Sequence, residues 1–81
     1  MNEIRVIYFY DTGGKEHLLN TNWWYDYDCV KMQIVVNAVT VYDSKVKGDE
    51  IGEAYAFIEG FLFAAKKLLT FHSHADYRQA V

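Results

Sequence analysis

Apolar residues first gather at positions 3–10, where β-branched and aromatic side chains dominate and predict a strand. The even positions Ile4, Val6, Tyr8 and Tyr10 are all apolar or aromatic. Ile7 and Phe9 extend apolar character to the other face, so both faces look partly covered. The paired glycines of Asp11-Thr12-Gly13-Gly14-Lys15 can adopt positive φ, as a hairpin turn requires. Positions 17–24 then predict a second, antiparallel strand, although Asn20 and Asn22 interrupt its pattern. Asp26-Tyr27-Asp28 predicts the next turn.

The longest alternation runs over 29–42 and predicts the third strand. One face would carry Val30, Met32, Ile34, Val36, Ala38, Thr40 and Tyr42, nearly all apolar. The other would carry Cys29, Lys31, Gln33, Val35, Asn37, Val39 and Val41, polar in the middle. That asymmetry fits one face packed on a helix and one partly open.

Positions 43–48 are polar and break the pattern. Asp49 is the predicted N-cap of a helix reaching about Leu69. Glu50 and Glu53 sit in the first turn and Lys66 and Lys67 in the last, each matching the helix dipole. Spacings of three and four align Ile51, Ala54, Tyr55, Ile58, Phe61, Leu62, Ala65, Leu68 and Leu69 on one side. This stripe is expected to pack on the sheet. Positions 70–81 read as a tail, in which Ser73 with Asp76 could open a short last helix.

The predicted fold is α+β: one domain over 1–81, a three-stranded antiparallel meander packed against one long C-terminal helix. A sheet this small leaves its far face open. Ile7, Phe9, Val35, Val39 and Val41 are expected there, and an apolar patch of this kind marks an interaction site.

The back of the helix adds a second surface. Gly52, Ala56, Gly60 and Ala64 recur every four residues, with Phe63 beside them. Small residues at this spacing let another backbone approach closely. Two helix glycines cost about 1 kcal/mol each against alanine, which argues that the stripe has a use.

With 81 residues, 52% of them hydrophobic, the chain has ample apolar surface to fold as one domain. Two Trp, seven Tyr and five Phe are more aromatic surface than a small core easily hides. Net charge of -3 argues against nucleic acid as a partner. One cysteine allows no internal disulfide. The apolar run at 4–10 is too short for a signal peptide and contains Arg5. No stretch reaches the roughly 18 apolar residues needed to cross a bilayer, so no membrane partner and a cytoplasmic location are expected.

Catalytic motifs are thin. Asp11-Thr12-Gly13 matches the tripeptide of aspartic proteases, which need two such aspartates in a mostly β fold. Gly13-Gly14-Lys15 lacks the earlier glycine, the following Ser or Thr and the helix of a phosphate loop. His72, His74 and Asp76 would project to one side of an extended tail, but nothing nearby orients them for a metal. Cys29 reads as a small buried hydrophobe and lacks the partners of a nucleophile. No cofactor, no metal and no enzymatic activity are expected.

The densest unusual feature is Trp23, Trp24, Tyr25, Asp26, Tyr27 and Asp28. Its aspartates would repel a phosphate backbone. Trp and Tyr are instead enriched among interface hot spots. The expected function is therefore a non-enzymatic interaction protein, an inhibitor or adaptor of the kind phages direct at host machinery. It would occlude a larger protein, burying aromatic anchors while Asp26, Asp28, Asp43, Asp49 and Glu50 meet basic groups. A homodimer through the open sheet face or the helix back is also expected. The alternative is a small ligand-binding domain, with sugar or nucleotide stacked on Trp23, Trp24 and Tyr25.

Overall fold

The structure, a computed structural model, describes residues 1–10 and 29–80. The predicted turns and strand within 11–28, and the aromatic cluster there, lie outside the described residues.

The architecture is α+β. Strand β1 (Asn2–Tyr10) is followed by β2 (Cys29–Val36) and β3 (Val39–Lys45). A 3₁₀ turn (Gly48–Glu50) leads into helix α1 (Ile51–Leu68), and β4 (Phe71–Gln79) follows it. The sheet is four-stranded and mixed, in the order β3-β2-β1-β4, with β4 parallel to β1. The expected three-stranded antiparallel meander with a closing helix is therefore corrected on two counts. The sheet has a parallel pair, and the helix is a crossover connection rather than the last element.

The crossover follows from the strand directions. β3 and β4 both run parallel to β1, and a parallel link needs a dozen or more residues, which α1 supplies. The apolar character of both faces of β1 is that of an interior strand. Ile7, expected on an open face, is only 4% exposed.

The alternation over 29–42 proves to be a hairpin, not one strand. Asn37 (φ 48°) and Ala38 (φ 68°) form its turn, and Val36 pairs with Val39 across it. Positive φ at both central residues is the signature of a type I′ turn, normally Asn-Gly. The Asn37 side-chain oxygen accepts the Glu3 N–H at 2.8 Å, and its amide donates to Asn2 Oδ1 at 3.0 Å. The turn is thus tied to the start of β1.

A bulge between Phe9 and Tyr10 places Cys29 opposite Tyr10. The extra residue moves Cys29 from its expected face onto the helix side, where it is buried beside Met32. Ile4, Val6, Tyr10, Met32 and Ile34 form the sheet side of the core, and Ile58 and Ala65 the helix side. The expected helix stripe holds for Ile51, Ala54, Tyr55, Phe61 and Leu62, which pack against that core. It fails at its end: Leu68 is 82% exposed, and Leu69 has already left the helix in extended backbone. Asp49 is not the N-cap. The 3₁₀ turn places Glu50 there, with its N–H bonded to the Lys47 carbonyl at 2.8 Å.

The expected tail at 70–81, with its short helix, is instead β4. It pairs with β1 in unbroken register from Asn2 with Phe71 to Tyr10 with Gln79. No helix among the described residues is long and apolar enough to cross a membrane.

Candidate interaction surface

The outward side of α1 presents what the sequence placed there. Gly52, Ala56, Gly60, Phe63 and Ala64 are all exposed. A methyl group added at Gly52 or Gly60 would meet nothing within 4 Å. Phe63 is 65% exposed, with Lys67 Nζ 4.8 Å from its ring centre, a cation–π contact on a wet surface.

Phe57, which the sequence reading did not single out, is 50% exposed and lies 4.7 Å from Tyr42 between ring centres. It borders a groove of about 270 Å³ between α1 and β3, lined also by Tyr42, Lys45, Glu50 and Glu53. Phe57 falls between the core stripe and the small-residue stripe, so a two-sided reading of the helix passes over it. Of the acidic residues expected to meet a partner, Asp43 lies 3.5 Å from Lys31. Asp49 and Glu50 stand at the helix start with Glu53.

The opposite face of the sheet differs from the expected apolar patch. Val39 pairs with Val36 and so falls on the helix side, while Val41 is exposed at the edge as the extra residue of a second bulge in the β2–β3 ladder. Toward β4 the face is charged. Asp76 accepts from Arg5 Nη1 on Oδ1 at 2.7 Å and from Arg78 Nη2 on Oδ2 at 2.9 Å. The Arg78 bond first, and the Arg5 charge with it, hold the Asp76 carboxyl below the usual carboxylate range. His74 Nε2 lies 3.4 Å from Glu3 Oε1, within ion-pair reach but without hydrogen-bond geometry, and that nitrogen is buried.

His72, His74 and Asp76 do project to one face, as expected, because alternate strand residues share a side. The two guanidiniums occupy both Asp76 oxygens. Among the described residues no group of three His, Cys, Asp or Glu is placed to hold a metal.

A tyrosine cluster closes the helix side of the sheet. Tyr8 stacks on Tyr77 at 5.2 Å and leans on Tyr55 at 5.4 Å. The Tyr10 and Tyr55 hydroxyls are 3.5 Å apart. Burial, helped by Tyr77, pushes the Tyr8 hydroxyl up to about 12, and burial with the Tyr55 contact raises Tyr10 as well. Hydroxyls held protonated in this way are packing groups with polar tips rather than proton donors near neutral pH. Trp23, Trp24, Tyr25, Asp26, Tyr27 and Asp28 lie outside the described residues, so their relation to these surfaces is not drawn. Compared with protein-family models, curated proteins and solved structures, the chain matches none of them.

Proposed function

We propose that the chain is a non-enzymatic interaction module that binds a larger protein through the outward face of α1. It acts as an inhibitor or adaptor by steric occlusion. One observation carries this reading: the helix sets two exposed phenylalanines, Phe57 and Phe63, beside a strip of exposed Gly and Ala, with open space among the described residues where a Cβ would stand at Gly52 and Gly60. Aromatic anchors beside small residues give a partner both area to bury and room to approach. Asp49, Glu50 and Glu53 at the same end of the helix favour a partner with basic groups near that contact.

The test compares wild type with Phe63→Ala and Gly60→Leu as bait in extracts of the source cells. A protein retained by wild type and lost from both variants, with unchanged circular dichroism, supports the reading. Retention of the same protein by both folded variants overturns it.

A further inference from the structure

We propose that the groove between α1 and β3 receives one arginine side chain of the partner, stacked on Phe57 and held by Glu50 and Glu53. This rests on the helix-face reading above and names the chemical group that meets the acidic end of α1.

The groove exists because β3 extends past the core. Among the described residues the fully buried core comes from β1, β2 and α1, with none from β3. Helix α1 therefore packs over the middle strands of the sheet and leaves space beside the edge strand. Tyr42 and Ser44, two apart, share one side of β3 and form the floor of the groove. Glu53, Ala54 and Phe57 follow Glu50 by three, four and seven positions, so they line it from a single stripe at the start of α1.

The lining is of two kinds. One wall is aromatic: Phe57 is half exposed, and its ring is tilted by 33° against that of Tyr42. A cation over the face of such a ring is attracted by its quadrupole. The other wall is anionic: Glu50 and Glu53 are exposed, and neither has an ion pair with any described residue. The cation bordering the groove is Lys45, which alternates with Ser44 and pairs in register with Lys31. Two carboxylates against one lysine leave one negative charge, and one incoming cation balances it.

Size and shape choose among cations. The volume of about 270 Å³ lies just under the roughly 300 Å³ at which small-molecule pockets begin, so it suits one long side chain rather than a cofactor. A guanidinium is planar and more weakly hydrated than an ammonium. It stacks on an aromatic face while its fork of donors reaches carboxylates at the side. Its carbon stem would cover the apolar part of the lining, Val46 and Ala54. A lysine keeps more of its water and gains less from the ring.

Titration of the full chain with N-acetylarginine amide, followed by the backbone amide NMR shifts of isotope-labelled protein, tests this without any partner. Saturable shifts centred on the groove residues are expected, with a Kd on the order of 1 mM. The uncharged isostere N-acetylcitrulline amide is expected to give none. The double variant Glu50→Gln with Glu53→Gln, and Phe57→Ala separately, are each expected to weaken binding by about tenfold. Phe63→Ala, outside the groove, leaves the titration unchanged. No groove shifts at about 50 mM probe overturn the proposal, and so does an equal response to the citrulline compound or unchanged binding in either groove variant. Where a variant does not fold, the arginine and citrulline titrations of wild type decide. Failure here, with a partner still lost from Phe63→Ala and Gly60→Leu, removes the arginine site and leaves the helix-face reading standing.

Discussion

Gly60 sits in the middle of an 18-residue helix, facing outward, with open space where a Cβ would stand. Replacing it with alanine removes the extra backbone freedom of glycine and introduces no clash. The expected gain is the full mid-helix difference, about 1 kcal/mol. For a domain of this size that raises Tm by roughly 4–8 °C. Gly52, at the second helical position, lies where helix geometry is less demanding, so its alanine variant gains less. Thermal unfolding followed by circular dichroism reads both. A Gly60→Ala protein that melts at or below the wild-type temperature would refute the open space around this residue. Leucine at the same site is nearly as good a helix former and should also leave the fold intact. It would, however, stand between the helix and any closely packed neighbour. Stability retained with binding lost is the combination that ties this glycine to a partner. Stability and binding both retained would show that the stripe is not a contact.

Three further outcomes are expected. Ala38→Gly relieves a left-handed residue costing about 1–2 kcal/mol. Glycine's unfolded-state freedom returns about 0.4–1 kcal/mol of that, so chemical denaturation should show a net gain of about 0.5–1 kcal/mol. A loss would refute the turn. Ile58→Ala empties a fully buried site and should cost about 2–5 kcal/mol by the same measurement, against about 0.5 kcal/mol or less for Phe63→Ala; equal effects would contradict their placement. Tyr8, held to about 12, stays protonated in the fold above the pH of about 10 at which an unfolded-chain tyrosine ionises. Its contribution is whole below about pH 10 and is lost as pH rises toward about 12. Denaturant midpoints should fall over that window, and fall less in Tyr8→Phe; parallel curves would refute the burial.

The helix was legible because a 3.6-residue period over many turns is hard to imitate. The sidedness of Ile58 and Ala65 against Gly60 and Phe63 came from spacing alone. The hairpin was hidden because Asn37-Ala38 lacks the glycine that announces a type I′ turn. Without that break, two strands merge into one alternation. β4 was hidden for a different reason. Its helix-side residues are Phe71, Ser73, Ala75, Tyr77 and Gln79, a weak apolar signal, while its other side carries the charged residues. What stabilises it there is a backbone ladder and the Arg5–Asp76 pair, both dependent on a strand far away in the chain. Long-range pairing leaves little trace in a local window. At the candidate surface, the small-residue stripe was visible as a repeat. Phe57 was not, because its exposure depends on how α1 sits over Tyr42.

The pairing of β1 with β4 also shapes how the chain reaches its fold. Arg5 and Asp76 meet although 71 positions apart in sequence, whereas Val36 and Val39 of the β2–β3 hairpin are three apart. The β2–β3 hairpin can close on the microsecond scale of local contacts. β1 cannot gain its parallel neighbour until a loop holding most of the chain has closed, and that entropy is spent before any bond rewards it. The completed sheet is therefore the slow product, and until it forms β1 is itself an unpaired edge. The molecule passes through folding with an apolar strand open to strangers, and β4 is what ends that exposure.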